Sequence, residues 1–134
     1  MCGMNTYSRP GTPYRPGDKR IAIQGEFSGI GHHPSIEHLW PGDLTIPETY
    51  EVTLDLKTWN FRVLSKVEEL IKQTAEFSCS GAVITQTTDI EGEVNGLLTY
   101  DRKLSRIDYE LWNRVISNLH QVSKNKGGIK PKII

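Results

Sequence analysis

The uneven placement of proline and glycine constrains this chain most. Six of its seven prolines and seven of its twelve glycines fall within the first 47 of 134 residues. Proline fixes φ and removes a backbone donor, while glycine opens the left-handed region. The opening third therefore has little room for a long helix or strand. Arg9-Pro10-Gly11-Thr12-Pro13-Tyr14-Arg15-Pro16-Gly17 repeats Arg-Pro-Gly around Thr-Pro-Tyr. Such a segment is extended or turning and has no core of its own. Residues 1–20 are expected to form a flexible basic arm, and 21–49 a short strand followed by a long irregular loop.

Within 21–49, Ile21, Ile23 and Phe27 share a strand period that breaks at Gly25, which predicts a strand over 20–27. The loop beyond it carries Ile30, Ile36, Leu39, Trp40, Leu44 and Ile46. That is too apolar for a free linker, so the loop is expected to pack on something.

From residue 50 the pattern is regular. Tyr50, Val52, Leu54 and Leu56 alternate with Glu51, Thr53, Asp55 and Lys57, which predicts a strand with one wet face. Val63, Leu64, Val67, Leu70 and Ile71 have the spacing of one helix face, with Thr58 or Asn60 as cap. Phe77–Thr87 reads as a strand, 88–92 as a hairpin loop and Val94–Tyr100 as the returning strand. Ser105 to Asp108 approximates a capping box before the stripe Leu111, Val115, Leu119 and Val122, and Gly127-Gly128 stops that helix. Residues 129–134 have the composition of a short edge strand.

The expected fold is α+β, with an antiparallel-type sheet and two helices on one face in the order β-α-β-β-α. A final strand would make it ferredoxin-like. Residues 50–134 form the compact domain with a basic tail, preceded by the irregular arm.

Formal net charge is zero, yet its distribution is polar. Residues 1–20 carry Arg9, Arg15, Lys19 and Arg20 against Asp18, and 124–134 carry four lysines and no acid. Between them, 21–48 holds four acids and no Lys or Arg, and 49–123 holds eleven acids against eight bases. Basic ends on an acidic body suit an acidic partner or a neighbouring copy. No apolar run reaches the length of a membrane span. The N-terminus lacks the pattern of a signal peptide, and Cys2 and Cys79 make no disulfide framework. A cytoplasmic or virion-associated location is the expectation.

Three of four histidines lie within seven residues, at His32, His33 and His38, with Glu37 beside the last. A loop could gather His32 or His33, His38 and a carboxylate such as Asp43 or Glu26 around a divalent transition metal, as a metal-binding protein or metal-dependent hydrolase would. Against this, the His33-to-Glu37 spacing is one residue too long for the inverted helical zinc motif. Pro34 also disfavours a helix running through His33. The alternative is a surface or contact loop that needs no cofactor.

A ferredoxin-like order raises RNA binding. Gly96 and Tyr100 fit the third strand of an RNA-recognition domain, but the basic residue and the central aromatics are missing. Nucleic acid is not an expected partner. Cys79 sits in a predicted strand, where a thiol is ordinarily buried and inert, and no spacing ties it to His120. Trp59 and Trp112 are expected in the core. Tyr7, Tyr14 and Trp40 lie in irregular segments and are candidate contacts, with Arg9 and Arg15 beside them.

The run Asp43 to Leu56 (Asp-Leu-Thr-Ile-Pro-Glu-Thr-Tyr-Glu-Val-Thr-Leu-Asp-Leu) resembles a strand opening of small phage tail and baseplate proteins. The resemblance spans about a tenth of the chain. It implies a virion subunit whose arms reach its neighbours, and it assigns no functional residue. The functional expectation is a non-catalytic assembly or protein-interaction subunit, contacting protein partners or sister copies through the arm and loop. A second version is a small immunity or inhibitor protein facing a basic toxin through the acidic 21–48 stretch.

Overall fold

The computed structural model describes residues 2–4, 22–41, 51–77 and 79–127. Among these residues it is an α+β structure with two α-helices and two small sheets, and the sheets are parallel. Strands β1 (Cys2–Met4), β2 (Ala22–Ser28) and β5 (Gly81–Thr85) form one sheet in the order β1-β2-β5. β3 (Ile30–His32) pairs with β4 (Glu51–Thr53) in the other. Helix α1 (Leu56–Phe77) precedes β5, and α2 (Tyr109–Gly127) follows it.

The expected antiparallel, ferredoxin-like sheet is not what forms. The partner of β5 is β2, and α1 lies between them in the chain as the crossover that a parallel pair requires. The alternation over 50–56 suggested a long wet-faced strand, but among the described residues of that run only Glu51–Thr53 is strand. Asp55 ends it. One carboxylate oxygen accepts the Thr58 N–H at 2.8 Å and the other the Thr58 hydroxyl at 2.8 Å. The Asp55 carbonyl accepts the Trp59 N–H, so Asp55 is the cap and the helix opens at Leu56. At the far end α1 runs to Phe77, which shortens the predicted 77–87 strand to Gly81–Thr85.

The break at Gly25 is real. Gln24 pairs with Ala82 and Glu26 with Val83, so Gly25 is the extra residue of a bulge. At the end of β2 the chain turns through Ser28 at φ 93° and Gly29 at φ 64°, and so passes from one sheet to the other. Glycine suits that region, whereas Ser28 sits there under strain.

Residues 86–108 do not make the expected hairpin. Isolated bridges join Thr88 to Leu98, Ile90 to Glu93 and Leu98 to Ser105, with no regular strand among them. The second helix starts at Tyr109 rather than at Ser105, because Asp108 accepts the Leu111 N–H at 3.1 Å. The expected edge strand at 129–134 lies outside the described residues.

The core gathers Phe27, Ile30, Val63, Leu64, Val67, Leu70 and Cys79 around Trp59 and Trp112, with Leu111, Val115 and Leu119 packed against it. The two indoles stack at 6.1 Å. Trp59 donates Nε1–H to the Ile30 carbonyl at 2.7 Å, and Trp112 donates to Asn60 Oδ1 at 2.7 Å. Asn60 Oδ1 also accepts the Asp108 N–H, while Nδ2 donates to the Leu56 and Arg106 carbonyls. This one amide uses its full capacity to join the starts of α1 and α2. Farther along, Leu70 and Thr74 line the same cleft as Leu119 and Ser123, so the two helices run in parallel. No described helix is long and apolar enough to cross a membrane.

Candidate functional site

Arg106 precedes α2 and reaches back into the irregular 86–98 segment. Nη1 donates to Asp89 Oδ1 and to the Gly96 carbonyl, each at 2.9 Å. Nη2 donates to Asp89 Oδ2 at 2.7 Å and to the His32 carbonyl at 2.8 Å, and Nε reaches that same carbonyl at 3.2 Å. All five N–H donors of the guanidinium are thereby engaged. The Arg106 and Asp89 side chains are only 2% and 3% exposed. Asp89 additionally accepts the Gly96 N–H at 2.8 Å. Burial pushes the Asp89 carboxyl up, against the pull of Arg106 and the Gly96 N–H. Only glycine fits at 96, because a Cβ there would run into the backbone of Thr88, Asp89 and Leu98.

A buried ion pair is costly unless its remaining hydrogen bonds are satisfied. Here the satisfying groups are backbone carbonyls of two separate segments, so the pair works as a clamp. It fixes β3, through His32, to the 89–96 loop and to the start of α2. The His32 N–H closes the same junction on the Val94 carbonyl at 2.9 Å.

The clustered histidines are held apart rather than together. The His32 Nδ1 atom is buried and makes no hydrogen bond. Burial first, and the Arg106 charge second, lower the His32 pKa, which favours the neutral ring. His33 is exposed and pairs Nδ1 with the neighbouring Pro34 carbonyl at 3.2 Å. His38, in a single turn of 3-10 helix over Ile36–His38, places Nδ1 at 2.8 Å from Asp101 Oδ2. Asp101 also accepts the Thr99 hydroxyl at 2.6 Å and the Lys103 N–H at 3.1 Å. The Thr99 hydroxyl and then His38 hold the Asp101 carboxyl well below the usual carboxylate range. Glu37 Oε1 lies 3.9 Å from His38 Nε2. Among the described residues, no three His, Cys, Asp or Glu side chains are placed to share a metal ion.

The loop is thus fastened at His32 by Arg106 and at His38 by Asp101. Just beyond, Trp40 meets Tyr100 edge to face at 5.6 Å. Between and beside these fastenings, Ile36 is 68% exposed and Trp40 43%. Of the other candidate contacts, Tyr7, Arg9, Tyr14 and Arg15 lie outside the described residues.

Arg106, Asp89 and Asp101 carry the geometry and did not stand out in the sequence. Asp89 read as a hairpin-loop residue and Arg106 as the interior of a capping box. Neither shows periodicity, and the partners are 17 positions apart for Arg106–Asp89 and 63 for His38–Asp101. Compared with known protein families and curated proteins, the chain matches none.

Proposed function

We propose that the chain is a non-catalytic assembly subunit that contacts sister copies through the His32–Trp40 loop. The observation that carries this reading is an exposed Ile36 and Trp40 on an irregular loop held at both ends by paired polar groups. A buried ion pair is expensive, and the use of one here, with the part-buried His38–Asp101 contact, keeps a contact surface in one shape. Preorganisation of that kind lowers the entropy lost on association. An exposed aromatic anchor beside an aliphatic one has the composition of an interface hot spot.

Charge layout supports sister copies as the partner. Basic residues gather at 1–20 and 124–134, acids dominate 21–123, and zero net charge leaves little repulsion between copies. The likeness of 43–56 to phage tail and baseplate strand openings supports a virion setting, where identical neighbours repeat.

Hydrogen exchange at rising protein concentration tests this. Peptides covering 32–40 should gain protection with concentration, while peptides from the middle of α1 should not change. Protection of 32–40 that is independent of concentration would overturn the reading.

A further inference from the structure

A cleft of about 230 Å³ opens on another part of the molecule, between the second half of α1, the start of β5 and the last turns of α2. Its walls are Leu70 and Thr74 from α1 and Leu119, His120 and Ser123 from α2, with Cys79 and the chain entering β5 as its bed. Cys79 and His120, which no sequence spacing connects, thus meet at one cavity.

Three properties define what the cleft suits. First, among the described residues no Asp, Glu, Lys or Arg lines it, so beside the His120 imidazole a charged ligand would find no partner for its charge. Second, the leucines make the walls largely apolar, and the polar atoms that interrupt them are hydroxyls, a thiol and an imidazole. Thr74 is 3% exposed, and none of the side-chain hydrogen bonds among the described residues uses its hydroxyl. The Cys79 thiol is already engaged, donating to the Gly81 carbonyl at 3.2 Å, with the Ala22 carbonyl at 3.8 Å. Third, size sets an upper bound. A dry cavity of roughly 150 Å³ accepts benzene, whereas drug-sized molecules occupy about 300–1,000 Å³. The cleft lies between these and matches one ring with a short substituent.

We propose that this cleft is a binding site for a small, uncharged molecule with a single-ring or short aliphatic body and one hydroxyl or carbonyl. Its apolar body rests between Leu70 and Leu119 and over Cys79, and its polar group exchanges a hydrogen bond with Thr74. The site is separate from the His32–Trp40 loop, and its test does not depend on assembly.

The test uses the full chain carrying Cys2→Ser, so that Cys79 is the sole thiol. Alkylation of Cys79 by N-ethylmaleimide is timed with benzyl alcohol, toluene or benzoate present. Benzyl alcohol should slow alkylation saturably by fivefold or more, and benzoate should have no effect. Thr74→Val should weaken benzyl alcohol several-fold and leave toluene unchanged. Because Thr74 is buried, Ser123→Leu on the exposed side of α2 provides a second variant, which should abolish protection by either neutral probe. Amide shifts of Gly81, Ala82 and Ser123 should follow the same saturation curve. Absent protection by benzyl alcohol, equal protection by benzoate, or unchanged protection in Ser123→Leu would each overturn the site.

Discussion

Replacing Arg106 with methionine removes the clamp while keeping most of the side-chain volume. The substitution deletes all five guanidinium hydrogen bonds and leaves the Asp89 carboxylate, 3% exposed, with only the Gly96 N–H. Breaking a buried pair from one side costs about 3–5 kcal/mol. The His32 and Gly96 carbonyls also lose their partner, at roughly 1–3 kcal/mol for each one left unsatisfied. These costs overlap, and Asp89 can relieve part of them by taking up a proton. A net loss of about 4–5 kcal/mol near neutral pH is expected, which is a large part of the roughly 5–15 kcal/mol stability of an ordinary domain. Urea unfolding followed by tryptophan emission and far-UV circular dichroism measures it, with coincident curves confirming two-state behaviour. Burial already raises the Asp89 pKa, and loss of Arg106 raises it further. The deficit should therefore shrink as pH falls and the lone carboxylate is neutralised. Asp89→Asn combined with Arg106→Met should be far less than additive, with a coupling of about 2 kcal/mol. A loss below about 1 kcal/mol, or additive single changes, would refute the clamp.

Asn60→Leu strands the Trp112 indole N–H and the Asp108 N–H, and should cost roughly 3 kcal/mol in the same urea assay, at about 1–3 kcal/mol per buried donor. His32 has a lowered pKa, so the folded state binds its proton less readily than the unfolded chain. Its stabilising contribution is complete above the ordinary histidine pKa of about 6.5 and is lost as pH falls through the lowered value. A plot of Tm against pH should therefore fall less steeply below pH ~6.5 in His32→Gln than in the parent, and identical slopes would count against a buried neutral ring. Elemental analysis of the purified protein should give well under one equivalent of Zn, Mn, Fe or Ni. About one equivalent, lost in His38→Ala, would establish the metal-binding reading instead.

What could be read from the sequence was local. Of the stripe Val63, Leu64, Val67, Leu70 and Ile71 the first four are buried and Ile71 is half-buried; of Leu111, Val115, Leu119 and Val122 the first three pack on the core and Val122 is half-buried outside it; Trp59 and Trp112 fill the core. Gly25 marked a real bulge because a missing side chain shows in a two-residue period. Sheet direction was not readable, since it depends on β2 finding β5 across the whole of α1. The three-residue β1, β3 and β4 are too short to show a period at all. The start of α1 was misplaced because alternation through Leu54 and Leu56 outweighed one local signal, the carboxylate of Asp55 three residues before Thr58. The histidine cluster was conspicuous in sequence. The groups that organise it, Arg106 and Asp101, are distant along the chain and belong to segments without periodicity.

Sedimentation equilibrium of the intact chain at physiological and at high salt decides whether sister copies associate. A reversible oligomer is expected, weakening as salt screens the basic ends. Ile36→Ser with Trp40→Ser should return it to monomer without changing its far-UV spectrum. Replacing Tyr7, Arg9, Tyr14 and Arg15 together by serine should weaken association and lessen its salt dependence. A chain that sediments as a monomer at every concentration, or an oligomer indifferent to both sets of substitutions, would contradict the proposed contact between copies.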